Sequence, residues 1–369
     1  MMHDRMNALK ASPSMEVTRR AKEMRERGED VVALSIGDTH FAPTKNIRER
    51  FNQALDLGHS HYTQARGSAA FRKAAATYLN SGFAPEQILA TPGVKQGLFY
   101  VMACLPVTEF AVVEPAWLGY SALCHLTGKK YSSVDRHDPN WREKLERNPP
   151  EALIICSPNN PDGYVYQAEE IERLAKVSQK HGMWLLLDEV YREYFFESKS
   201  RTQNTSKLYE LPRVVVFNGL SKSHACTGLR LGYFASHDLS LLDSVLRMQQ
   251  NIATCPSTPA MYAGEAFLDD LDEVRSFKQY YESNRQLVLE IFPDWQPFSP
   301  SGAFYFFIPL RCISNGTSLW DCGEILTQSG VALVPGEAYG ERYSGFLRLS
   351  ISTTVERLRL GLERLSLLR

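Results

Sequence analysis

Apolar residues in the middle of this chain gather in short continuous runs that do not alternate with polar ones. Ile88-Leu89-Ala90, Phe110 to Val113, Leu153 to Cys156, Met183 to Leu187 and Val214 to Phe217 are such runs. Each is short and bounded by turn signals, which reads as a strand buried on both faces. Between them lie stretches with helical spacing: Lys95 to Leu105, a segment carrying Tyr120 and Leu123, and Ala168 to Lys180. Strands spaced by helices predict βαβ units and a largely parallel sheet. Upstream, a polar arm leads into a helix from Val17 to Arg27 and a short strand from Asp30 to Ile36. A helix then runs from Pro43 to about Leu57, and Ser68 is placed to cap another through Leu79. After Phe217, Asn218-Gly219 is a turn signal, and a second strand is expected from about Leu229 with Arg230 at its start. Helices follow over Ser240 to Asn251, Thr258 to Leu268 and onward from Val274. The pattern then changes. Strands at Ser301 to Phe307, Val331 to Val334 and Phe346 to Ile351 alternate with helices at Leu319 to Leu326 and Val355 to Leu367, a small α+β unit.

Composition adds mostly exclusions. The 369 residues are 44% hydrophobic and 22% charged, with a net charge of −1, so there is no electrostatic case for nucleic acid or an anionic membrane. No apolar run approaches the ~18 residues of a membrane span. The charged first residues lack the apolar core of a secretory signal. The seven cysteines are scattered with no C-x-x-C pair, which fits a reducing compartment, and a cytoplasmic protein without a metal site is expected. Asn315-Gly316-Thr317 matches a glycosylation sequon and in that setting is chance.

The chemistry lies where the apolar runs end. In a parallel sheet, ligands bind outside the carboxyl ends of the strands. Those ends carry Trp117, Asn160, Asp188 and Lys222. Alone, each has an ordinary explanation: a core indole, a turn, a helix cap, a solvated lysine. Together they describe a ligand. Lys222 can form a Schiff base with an aldehyde. Asp188 can keep a pyridine nitrogen protonated, and Trp117 can stack on the ring. Asn160 and Tyr191 can bond a ring oxygen. Gly93-Val94-Lys95 opens a helix whose free N–H groups suit a phosphate, to which Ser221 and Arg230 add a hydroxyl and a guanidinium. The ligand so described is pyridoxal 5′-phosphate.

Over nearly its whole length the sequence resembles the class I/II aminotransferases of fold type I, the aspartate aminotransferase superfamily. TPGVKQGLF resembles the phosphate-binding helix start, EPAW carries the stacking aromatic, and SPNNPDG is similar to PNNPTG with Asp162 where Thr is commoner. LDEVYREYFF, NGLSKSHACTGLRLGY, SGAFYFF, GVALVPGEAYG and FLRLSIST resemble further family elements. The resemblance implies an α/β fold: a large domain over 45–261, with a mostly parallel seven-stranded sheet between helices, and a small domain from 1–44 and 262–369. It implies Lys222, Asp188 and Tyr191 as catalytic residues. It implies a cofactor site of Gly93, Val94, Lys95, Trp117, Asn160, Asp188, Tyr191, Ser221, Lys222 and Arg230. Arg348 would clamp the substrate carboxylate, with Gly37, Trp117 and Asn160 also at the substrate. HYTQARG resembles the loop through which Tyr62 reaches the phosphate of the partner subunit, which implies a homodimer with shared active sites. Gln64, Arg66 and the Gly37-Asp38-Thr39-His40 stretch depart from the family pattern, and they bear on substrate choice. His224 reads as structural; Lys95 could meet a substrate carboxylate, but it reads first as a solvated lysine at a helix start.

The activity this implies is ping-pong transfer of an amino group between an L-amino acid and a 2-keto acid. A carbon–sulfur β-lyase using the same residues is an alternative, because a leaving group on the substrate diverts the same chemistry. A ligand sensor built on the fold is more remote, since no helix-turn-helix or basic stripe is present.

Overall fold

Alternate residues of the central strands enter two different cores. Val214 and Val216 pack in one, Val215 and Phe217 in the other; Leu185 and Leu187 part from Leu186 in the same way, and Leu153 and Ile155 from Ile154. This is the period-2 geometry of strands covered on both faces, and it explains why these runs carry no polar alternation. The architecture is that of a computed structural model, in which residues 13–80, 82–196, 202–313 and 321–369 are described. The sequon at Asn315 and the predicted helix start at Leu319 lie outside the described residues.

After β1 (Val32–Ala33) come β2 (Ile88–Thr91), β3 (Glu109–Glu114), β4 (Lys130–Asp135), β5 (Ala152–Cys156), β6 (Trp184–Asp188), β7 (Val214–Gly219) and β8 (Gly232–Ser236). Strands β2 to β8 form one seven-stranded sheet in the order β2-β8-β7-β6-β5-β3-β4. It is parallel except for β8, which runs antiparallel to both neighbours. The remaining strands are β9 (Tyr305–Pro309), β10 (Val331–Ala332), β11 (Val334–Pro335) and β12 (Phe346–Ser350). They make a three-stranded antiparallel sheet, β11-β12-β9, and a two-stranded pair in which β10 joins β1.

Helices fall close to their predicted places, at Pro13–Glu26, Lys45–Asp56, Ala69–Leu79, Val94–Cys104, Gly119–Thr127, Ala168–His181, Leu239–Ile252, Leu271–Ile291, Cys322–Ser329 and Val355–Ser366. Ser68 caps its helix as expected, its side chain accepting the N–H of Phe71.

Several expectations need correction. The strand expected over Asp30 to Ile36 pairs only at Val32 and Ala33, because β10 is itself two residues long. The apolar stretch Val331 to Val334 splits into β10 and β11, which serve different sheets. The strand placed at Ser301 to Phe307 forms at Tyr305–Pro309. The strand after the lysine starts at Gly232 and not at Leu229; Arg230 precedes it in a left-handed conformation (φ 53°). The helix expected through Leu268 ends at Gly264, after which Phe267–Asp270 turns as a 3₁₀ helix. Strand β4 and the helices Trp141–Arg147 and Thr202–Tyr209 escaped notice. The sequence of β4, KYSSVD, is polar because it is the half-exposed edge of the sheet.

Candidate active site

Cys156 pairs in register with Asp188, and Asp188 with Phe217, so β5, β6 and β7 end side by side. At those ends lies a cavity of about 510 Å³. Asp188 closes β6 and is 4% exposed. Its carboxylate accepts the Tyr120 hydroxyl (2.8 Å) and the Val190 backbone N–H (3.2 Å). Both donors are neutral. Burial therefore dominates and raises this carboxyl to about 6. A buried carboxylate with neutral donors and no cationic partner among them, facing a cavity, suits a cationic N–H on a ligand.

Lys222 stands in the short helix Leu220–Ser223 that follows β7 at once. Its Nζ donates to the Gly37 carbonyl (2.6 Å), and the Tyr194 hydroxyl holds the Lys222 carbonyl (2.7 Å). Burial pulls the amine down to about 8. Asp38 works against that, while Arg348, Arg230 and Lys95 add to it. At pH 7 about a tenth of this amine is thus neutral, far more than of an ordinary lysine, which is what a nucleophile or proton carrier needs.

The Val94–Cys104 helix points its start at the same space, with Val94, Lys95, Ser221 and Arg230 on the wall. Its first N–H groups have no acceptor within the helix. Two glycines allow the approach. Gly232 lies so close that a Cβ there would sit 2.7 Å from the Val94 nitrogen. Gly93 has φ +82°, and a Cβ on it would meet Arg230 Nη2 at 2.6 Å. The result is a cradle of N–H groups, a hydroxyl and a guanidinium, fit for a phosphate.

Trp117 forms part of another wall. Tyr120 meets it edge-on (5.2 Å, 88°) and the Lys95 ammonium lies 5.1 Å from its ring centre. Arg348, on β12, is 5% exposed. Its Nη1 donates to Asn160 Oδ1 (3.0 Å) and its Nη2 to the Ser35 carbonyl (2.7 Å), and its guanidinium lies over the Tyr305 ring (4.3 Å). The Tyr191 and Tyr305 hydroxyls share a hydrogen bond (2.9 Å).

The fold thus brings Gly37, Val94, Lys95, Trp117, Asn160, Asp188, Tyr191, Ser221, Lys222, Arg230 and Arg348 to one cavity, with Gly93 directly behind Arg230. Tyr62 does not join them and is 84% exposed. His224 is fully buried, bonded to Ser223 Oγ and the Phe267 carbonyl, as a structural residue would be. Arg66 is held by the carbonyls of Ile88 and Glu86. Asp162 pairs with Arg136 and accepts Asn159 Nδ2 (2.8 Å) and the Tyr164 N–H (3.1 Å), pinning the turn that carries Asn160. Lys95 is exposed, as expected of a lysine at a helix start, and it stands at the rim of the cavity it helps to line. Tyr120, Tyr305 and Thr227 also line it and were not singled out.

These features match known proteins. The family model described as "Aminotransferase class I and II" fits residues 29–365. An aspartate aminotransferase of Thermotoga maritima is 31% identical, covering 99% of this chain and 98% of its own length. Aromatic-amino-acid aminotransferase 2 of Thermococcus litoralis is 29% identical over 91% of each chain. Among solved structures, a single mutant of the Thermus thermophilus aspartate aminotransferase superposes with a TM-score of 0.89 at 29% identity, covering 99% of this chain and 98% of that one.

Proposed function

The chain belongs to the class I and II aminotransferases and is a pyridoxal-phosphate-dependent transaminase, and from that premise we propose which residues carry the reaction and what it acts on. Pyridoxal phosphate, when bound, supplies an aldehyde for the amine and an electron-withdrawing ring. The buried Lys222 amine, in one cavity with Asp188 and Arg348, is the observation that carries the assignment.

Asp188 would receive the ring N–H and keep it protonated, its carboxylate held in place by Tyr120 and the Val190 amide. Trp117 would lie against the ring, and Asn160 and Tyr191 would serve the ring oxygen. The amides of Val94 and Lys95, with Ser221 and Arg230, would hold the phosphate. Arg348 receives the substrate α-carboxylate beside Gly37 as a bidentate guanidinium. Lys222, once its amine is free, would take the proton from the substrate Cα as a base and, as the ammonium so formed, would deliver it to the cofactor's aldehyde carbon.

The preferred substrates are acidic amino acids and their keto acids. The support is Lys95, a second cation on the cavity wall beside Trp117, together with the name of the Thermotoga relative. The relatives described above are all aminotransferases, which favours transfer over elimination. The exposed Tyr62, near the exposed Leu55 and Leu57, supports a homodimer in which Tyr62 serves the partner subunit's cavity. A division into a 45–261 domain and a domain of 1–44 with 262–369 is supported by the pairing of β1 with β10. A cytoplasmic location is supported by the lack of any disulfide among the described cysteines. Among the described residues no helix is long and apolar enough to cross a membrane.

The test is Lys222→Ala. It should lose both turnover and the visible absorption band of the bound cofactor, while wild type bleaches with an amino acid and recovers with a keto acid. Turnover by the variant would sink the assignment. Lys95→Met should lower kcat/KM for aspartate and spare phenylalanine; equal losses would remove the acidic-substrate reading.

A further inference from the structure

Within residues 35–38, four acceptors meet donors from three other parts of the chain. The Ser35 carbonyl accepts Arg348 Nη2 (2.7 Å), and the Gly37 carbonyl accepts Lys222 Nζ (2.6 Å). Asp38 Oδ2 accepts the Thr227 hydroxyl (2.9 Å), and the Asp38 carbonyl accepts the Ser352 hydroxyl (2.6 Å). The Thr227 carbonyl in turn accepts Arg230 Nη1 (2.9 Å). A ring of contacts therefore runs from Lys222 through Gly37, Asp38 and Thr227 to Arg230. Three of its members, Lys222, Thr227 and Arg230, come from the stretch after β7, and the other two from the segment beside β1.

The charges around the amine are unbalanced without Asp38. Lys95 at the helix start, Arg230 before β8 and Arg348 on β12 are the cations acting on it. The phenols Tyr191, Tyr305 and Tyr339 and the thiol Cys156 line the same cavity, as does Asp188, which is already bonded to Tyr120. Asp38 itself has Thr227 on one carboxylate oxygen and its neighbour's Thr39 N–H (2.8 Å) on the other. Behind it stand Ser352, Tyr281 and the half-buried His40.

We propose that Asp38 is a positioning residue for Lys222: through Thr227 and the Gly37 carbonyl it fixes where the amine sits, and it supplies a negative charge that offsets part of the positive field of Arg348, Arg230 and Lys95 at that amine. The role rests on the reading of Lys222 as the reacting amine. It gives the departure at Gly37-Asp38-Thr39-His40 a function at the amine itself.

The experiment is a pH titration of the visible band of the holoenzyme, whose midpoint reports the protonation of the Lys222 nitrogen. In Asp38→Asn the midpoint should fall by about one pH unit, the effect of losing one nearby opposite charge. Asp38→Glu should restore it. Thr227→Val, which keeps the charge and removes its hold, should lower the midpoint by less. An unchanged midpoint in Asp38→Asn carrying a full complement of cofactor overturns the proposal, whatever happens to turnover. Should Asp38→Asn fail to fold, an unchanged midpoint in Thr227→Val overturns it instead. Lys222→Ala separates the two readings: a band that survives in it refutes the role of Lys222, and its loss leaves Asp38 to be judged on the midpoint alone.

Discussion

Asp188→Asn should stabilise the protein stripped of cofactor and cripple the enzyme that holds it. Burial raises the Asp188 carboxyl from an ordinary 3.8 to about 6. A shift of roughly two units corresponds to about 3 kcal/mol. The sign follows from proton counting. Between pH 4 and 6 the folded protein keeps a proton that the unfolded chain has lost, so stability falls as pH rises through that window. Above pH 6 the full cost is present. Asparagine removes the charge, but its single oxygen serves only one of the two donors, Tyr120 or the Val190 amide, and losing the other bond costs about 1 kcal/mol. The net gain near neutral pH is about 2 kcal/mol. With an unfolding entropy of roughly 2.1 cal/mol/K per residue, this is a rise of about 3 °C in Tm. At pH 4 the gain vanishes and the variant becomes slightly the weaker protein. Under the assignment proposed above, cofactor should reverse the order, because its ring N–H would pair with this carboxylate; removing one partner of such a buried pair costs about 3–5 kcal/mol. Thermal melts of both proteins, stripped and loaded, at pH 4.5 and 7.5 would check this. A stripped variant no more stable than wild type at pH 7.5, or a gap that ignores pH, would refute the reasoning.

Gly93→Ala forces a side chain into a positive-φ position and pushes against Arg230 Nη2; backbone strain of about 1–3 kcal/mol should weaken cofactor affinity about tenfold or more, measured by titrating the stripped protein. Arg348→Lys loses the paired contacts to Asn160 and Ser35 and should lower kcat/KM by about a hundredfold, or ~3 kcal/mol, in steady-state assays. Asp162→Ala strands the buried Arg136 and two donors of the Asn159 turn; a loss of about 3–5 kcal/mol should appear as a lower denaturant midpoint at unchanged slope. Asp162→Asn, which keeps an acceptor, should recover part of it.

The central sheet was legible because its strands are buried on both faces, so each announces itself as an unbroken apolar run. The same rule hid β4, whose edge position leaves KYSSVD half polar. It also blurred the segments after residue 300, where Val331 to Val334 is one apolar stretch in sequence and two strands in space. Periodicity reports burial and not partner. The cofactor wall was legible for a related reason. Asp188 ends a strand and Trp117, Asn160 and Lys222 follow strand ends within a few residues, where a parallel sheet places its ligands. Tyr120 and Tyr305 were missed because a buried phenol on a helix or strand is indistinguishable from core until its hydroxyl is seen to meet Asp188 or Tyr191.

The least legible part is the side of the site that is not built on the sheet. Residues 35–38 belong to an irregular segment next to a two-residue strand, and most of their acceptors are backbone carbonyls, which every residue carries. No side-chain pattern can mark a carbonyl as the one that receives Lys222. Yet this segment touches both ends of the chemistry: Ser35 holds the arginine assigned to the substrate carboxylate, and Gly37 holds the amine. With Arg348 and Lys222 in the roles proposed above, contacts at either would act on this one four-residue stretch. Asp38, at its end, is the one place where that stretch carries a charge of its own, and under the proposal above that charge opposes the effect of burial on the amine that the short helix after β7 presents.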